Sequence, residues 1–70
     1  MTVREYRLSL GWSVSELARR AGITNKTLNR IENGEPVYDY TVGAVAKALS
    51  EGLGKPIAIQ DLEGVNIAKR

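Results

Sequence analysis

The 70-residue chain contains neither cysteine nor histidine. Disulfide staples are thereby excluded, and so are zinc and iron–sulfur sites built from their usual ligands. Catalysis loses its commonest nucleophile and base together, and no paired acids stand at a spacing that would converge in a cleft. The chain is expected to be no enzyme and to need neither metal nor cofactor. No apolar run approaches the roughly 18 residues that span a bilayer, and residues 1–10 lack the apolar centre of a secretion signal. A cytoplasmic protein without a membrane partner is the expectation. A chain this short buries only about 60% of the surface it exposes when unfolded, so it forms one domain of marginal stability.

Strand signals are scarce as well, with β-branched alternation only over residues 55–60. Charge of one sign is nearly balanced: ten basic against eight acidic residues leave a net +2, too little to name a partner. Its distribution says more. Residues 17–31 carry Arg19, Arg20, Lys26 and Arg30 and no acid, whereas residues 32–63 hold six acids against Lys47 and Lys55. Such a positive island suits either a nucleic acid or an ordinary solvated helix face.

Helix signals are plentiful. Thr2 and Glu5 fit a capping box ahead of Val3, Tyr6 and Leu10, predicting a first helix over residues 3–10 that ends at Gly11. Ser13 and Glu16 repeat the capping box, and Trp12 is placed to staple onto Leu17. Val14, Leu17, Ala18 and Ala21 then form the apolar stripe of a second helix, stopped by Gly22. Thr24 caps a third helix that closes at Asn33-Gly34, with Ile23 stapling to Leu28. Pro36 and the lack of periodicity mark residues 35–40 as a loop. Val42, Val45, Ala46 and Leu49 predict a fourth helix from Thr41 or Val42 to Ser50, broken over residues 52–56. A short fifth helix is expected over residues 59–63. The domain is taken as residues 1–63, with residues 64–70 as a C-terminal tail.

Two short helices joined through a glycine turn are the local signature of a helix-turn-helix. On a helical wheel, Leu28 and Ile31 of the third helix face inward while Lys26, Asn29 and Arg30 face outward, flanked by Asn25 and Thr27. The outward chemistry suits base edges: Arg and Lys pair with guanine O6 and N7, Asn pairs with adenine, and Thr touches thymine or phosphate. A helix facing only water would more often carry Glu–Lys pairs four apart, and this one has no acid before Glu32.

The ordered pieces Tyr6-Arg7, Gly11-Trp12-Ser13, Glu16-Leu17-Ala18, Ala21-Gly22-Ile23-Thr24, Ile31-Glu32-Asn33-Gly34 and Val45-Ala46-Lys47-Ala48-Leu49 resemble the Cro/C1-type (Xre) helix-turn-helix family. The resemblance implies an all-α, lambda-repressor-like bundle of four or five helices. It also implies sequence-specific binding of double-stranded DNA by a transcriptional regulator of the repressor kind. Carried over position by position, Asn25, Lys26, Thr27, Asn29 and Arg30 are implied to read bases in the major groove. Ser13, Val14, Ser15, Arg19, Thr24, Asn33, Tyr38 and Thr41 are implied to meet phosphate, with Arg20 adding to the same attraction. For Ser13 and Val14 the means is the positive end of the second helix, and for Thr41 its backbone N–H. Arg7 and Glu32 are implied to form a structural ion pair between the first and third helices.

The chain departs from the family in two places. Val14 stands where many relatives carry a phosphate-touching Gln, and residues 35–40 hold no Lys or Arg. Tyr38 and Tyr40 can donate hydroxyls to phosphate or pack the loop; both roles remain open. A homodimer on palindromic DNA is expected, with Val37, Tyr38, Ile57, Ile59 and Val65 as candidate contacts. The alternative is an antitoxin or accessory protein whose main partner is another protein.

Overall fold

Thr2 starts the first helix, α1 (Val3–Ser9): its hydroxyl accepts from the Glu5 amide at 3.1 Å, and the Glu5 carboxylate accepts from the Thr2 amide at 2.8 Å. Both halves of the capping box are therefore made. The architecture comes from a computed structural model that describes residues 1–68; Lys69 and Arg70, the end of the expected tail, lie outside the described residues. The second helix, α2 (Val14–Ala21), is capped by the Ser13 hydroxyl, which accepts from the Glu16 amide at 3.1 Å. Here only half of the expected box forms. The Glu16 carboxylate turns to the guanidinium groups of Arg19 and Arg20, because charged donors outcompete a neutral backbone amide. Gly22, at φ 73°, reverses the chain in the left-handed conformation, and Thr24 caps the third helix, α3 (Asn25–Glu32).

The fourth helix, α4 (Asp39–Leu53), is longer than its apolar periodicity suggested. It starts early because Asp39, in the first turn, favours the positive end of the helix and accepts from the Tyr40 amide at 2.7 Å. It continues through Gly52 to a left-handed stop at Gly54, φ 70°. A Cβ on Gly52 would lie 2.7 Å from Trp12 Cζ2 and 3.1 Å from Leu10 Cδ1. Gly52 is thus the socket that admits the Trp12 ring, and not a helix breaker. Alanine in an exposed helix interior ordinarily gains about 1 kcal/mol over glycine. Here the sign is expected to reverse, with Gly52→Ala losing about 1–3 kcal/mol through overpacking; a thermal melt that shows stabilisation would contradict the socket.

After α4, Ser50 organises the return of the chain, accepting from the Ile57 amide at 2.8 Å and donating to the Ala46 carbonyl at 2.7 Å. The expected fifth helix is only a 3-10 turn, Ile59–Asp61, tied by an Asp61 carboxylate that accepts from the Ala58 amide at 2.9 Å. Residues 55–60 form no strand. Instead, two two-residue strands, β1 (Pro36–Val37) and β2 (Asn66–Ile67), pair in parallel with Val37 opposite Ile67. Residues 36–37 belong to a stretch read from sequence as loop, and residues 66–67 to the unassigned tail. Neither strand is long enough to show alternation, and their pairing joins residues 30 apart in the chain.

Leu17, Leu28, Ile31, Val42, Val45 and Leu49 form the fully buried centre. The fold is all-α in character: the described residues form four α-helices and one 3-10 turn, with α4 running through the core against α2. Val37 and Ile57 are buried in the same cluster, and Ile59 and Val65 pack against it. That corrects the expectation that Val37 and Ile57 offer an apolar surface to a second copy: the core of one domain already uses them.

Candidate nucleic-acid interface

The third helix splits cleanly by face. Leu28 and Ile31 are buried, while Asn25, Lys26, Asn29, Arg30 and Asn33 are exposed and Thr27 is half-buried. Its start is bound to the start of α2: the Asn25 side-chain amide donates to the Ser15 hydroxyl at 2.8 Å. Ser13, Val14, Ser15 and Asn25 thus belong to one edge, where the first turn of the eight-residue α2 meets the exposed start of α3. Val14 is half-buried and packs on the core, so only its backbone serves that edge. The Thr24 hydroxyl accepts from the Thr27 amide at 3.2 Å and lies 2.9 Å from the Thr27 hydroxyl. Asn33 ends the same helix as its C-cap, donating its backbone N–H to the Asn29 carbonyl at 2.9 Å.

At the other edge, Thr27 and Arg30 line an open hollow of about 430 Å³ together with Pro36, Tyr38, Tyr40 and Thr41. Tyr38 and Tyr40 stack with ring centroids 5.6 Å apart and planes at 11°, and both are exposed. The two tyrosines therefore pack on each other beside Arg30, and their exposed rings border the hollow. The early start of α4 corrects the role given to the Thr41 backbone. Its amide donates to the Tyr38 carbonyl at 3.1 Å, so that N–H is already used within the helix start, while Thr41 still lines the hollow.

The structure also brings Arg7 and Glu32 together. Arg7 Nε donates to Glu32 Oε2 at 2.8 Å and Nη2 to Oε1 at 3.1 Å, while Nη1 donates to the Trp12 carbonyl at 2.9 Å. Arg7 is only 8% exposed. One guanidinium thus fixes α3 to α1 and to the residue that precedes the α2 cap. With the core, this pair sets the angle at which the polar face of α3 is presented.

Electrostatically, the positive island is smaller than its sequence count. Glu16 sits against both Arg19 and Arg20, and Glu35 approaches Arg30. The Arg20 hydrogen bond, helped by the Arg19 charge, holds the Glu16 carboxyl below the ordinary glutamate value. Its pairing is therefore present at neutral pH and fades as pH falls through that lowered value. Arg20 also lies over the Trp12 ring, 4.4 Å from the centroid, a cation–π contact that sequence spacing did not reveal. Glu35 and the Pro36 carbonyl were missed as neighbours of Arg30; the Asn33-Gly34 pair, which turns the chain back, was the available signal.

The family profile described as "Helix-turn-helix" matches residues 3–60. The chain belongs to the Cro/C1-type helix-turn-helix family. No curated protein and no solved structure matches it. The helix-turn-helix itself is α2, the Gly22–Thr24 turn and α3, and the family is one of DNA-binding transcription regulators. Around this helix-turn-helix no described helix is long and apolar enough to cross a membrane, and no cluster of described acidic residues could hold a metal ion.

Proposed function

We propose that this helix-turn-helix domain binds duplex DNA sequence-specifically and represses transcription by occupying its site. The α3 helix lies in the major groove, where Asn25, Lys26, Thr27, Asn29 and Arg30 meet base edges. The α2 helix crosses the backbone, with Ser13, Val14 and Ser15 offering the positive end of the helix to a phosphate. Arg19, Thr24, Asn33, Tyr38 and the Thr41 side chain complete the phosphate contacts. The observation that carries this reading is the exposed, acid-free face of α3, joined to the α2 start through Asn25–Ser15 and bordered on the other side by the tyrosine-lined hollow.

A single module of this kind buries roughly 600–1,000 Å² of protein surface on DNA, which gives modest affinity. Two copies on half-sites one helical turn apart, about 34 Å, supply the remainder. The contact between the copies involves none of the core residues Val37 and Ile57.

A salt titration of binding to a random-sequence duplex tests the phosphate roles. Arg19→Ala is expected to weaken all sequences alike and to flatten the slope of log K against log salt by about one. An Arg19→Ala loss confined to one sequence would remove Arg19 from the backbone contacts.

A further inference from the structure

Arg30, although half exposed, leans on the chain that follows α3. Its Nη2 donates to the Pro36 carbonyl at 3.1 Å, and its Nε lies 3.9 Å from the Glu35 carboxylate. The backbone builds this arrangement. Gly34, at φ 77°, folds the chain back so that the Glu35 amide donates to the Arg30 carbonyl at 2.9 Å. Pairing of β1 with β2 then fixes Pro36 beside α3. The accepting Pro36 carbonyl and the longer-range Glu35 charge face the Nε–Nη2 edge of the guanidinium, the same planar fork that would otherwise grip a guanine or a phosphate.

We propose that Glu35 and the Pro36 carbonyl form an intramolecular clasp that competes with DNA for Arg30, making Glu35 an affinity-setting residue of the interface. The proposal rests on the DNA-binding reading above. To use both fork donors on DNA, Arg30 leaves the Pro36 carbonyl. Glu35 is half exposed, so its pairing with Arg30 is weak and reversible in water. Once Arg30 has moved, the uncompensated carboxylate lies beside the phosphates and opposes binding. Glu35 is therefore the acid that holds back the one arginine of the reading face.

The test is a double-mutant cycle with Glu35→Gln and Arg30→Ala, read as dissociation constants on the duplex that the unsubstituted chain enriches from a random-sequence pool. Low salt is used so that phosphate attraction keeps the Arg30→Ala protein measurably bound. Glu35→Gln keeps the side-chain shape at an exposed site, and thermal melts confirm that all four proteins fold. Glu35→Gln is expected to tighten binding, with a gain about two- to fivefold greater when Arg30 is present than when it is Ala. Equal gains in the two backgrounds would reduce Glu35 to general charge repulsion and overturn the clasp. Weaker binding by Glu35→Gln would also overturn it, showing that Glu35 positions Arg30 for DNA. Failure of the unsubstituted chain to bind any duplex would overturn the DNA reading itself, and the clasp with it.

Discussion

Glu32→Ala is expected to lose about 3–5 kcal/mol of stability, the cost of leaving one partner of a buried ion pair alone. Arg7 would then keep Nη1 on the Trp12 carbonyl while Nε and Nη2 lose both acceptors in a site that is 8% exposed. Domains hold roughly 0.05–0.15 kcal/mol per residue, so a loss of this size removes a large share of what a 70-residue chain possesses. The melting temperature should fall by more than about 10 °C, since each kcal/mol is worth about 4–8 °C in a domain this small. The combined change Arg7→Met with Glu32→Leu should recover much of the loss, because the desolvated charge disappears with its partner. A single-variant loss under about 1 kcal/mol would mean that water reaches the guanidinium and that the pair does not set the pose of α3.

The second large effect is on DNA. Asn29→Ala and Arg30→Ala, at exposed positions of α3, should each cost roughly 1–3 kcal/mol on the preferred site and relax the base preference there. Every 1.4 kcal/mol is about a factor of ten, so the double variant should lose on the order of a hundredfold or more on that site. On random DNA the loss should be much smaller. Stability should barely change, because neither side chain contributes to the buried centre. Equal losses on preferred and random DNA would move both residues to the backbone contacts.

Much of this protein was legible in its sequence where the information is local. Thr2, Ser13 and Thr24 announce three helix starts, because a side-chain oxygen capping an amide three residues on requires only nearby residues. Leu28 and Ile31 against Lys26 and Asn29 divide the two faces of α3 for the same reason. What escaped depends on partners distant in the chain. Gly52 reads as a breaker until Trp12, forty positions earlier, is found in its place. Tyr38 and Asp39 look like loop until the helix start that precedes the apolar stripe is seen. The pairing of Pro36–Val37 with Asn66–Ile67 has no sequence signal because backbone groups make it. In the candidate interface, residue types gave the exposed polar face of α3, but a count of basic residues overstated its charge. Glu16 and Glu35 lie just outside the basic stretch in sequence and against it in space.

Selection of bound duplexes from a random-sequence pool, repeated with the Asn29→Ala/Arg30→Ala variant, tests the central claim most directly. The account predicts that the unsubstituted chain enriches one palindromic site with half-sites about one helical turn apart, and that the variant, still folded, enriches none. Recovery of duplexes with no preferred sequence, or the same site enriched by the variant, would contradict the assignment of base reading to α3.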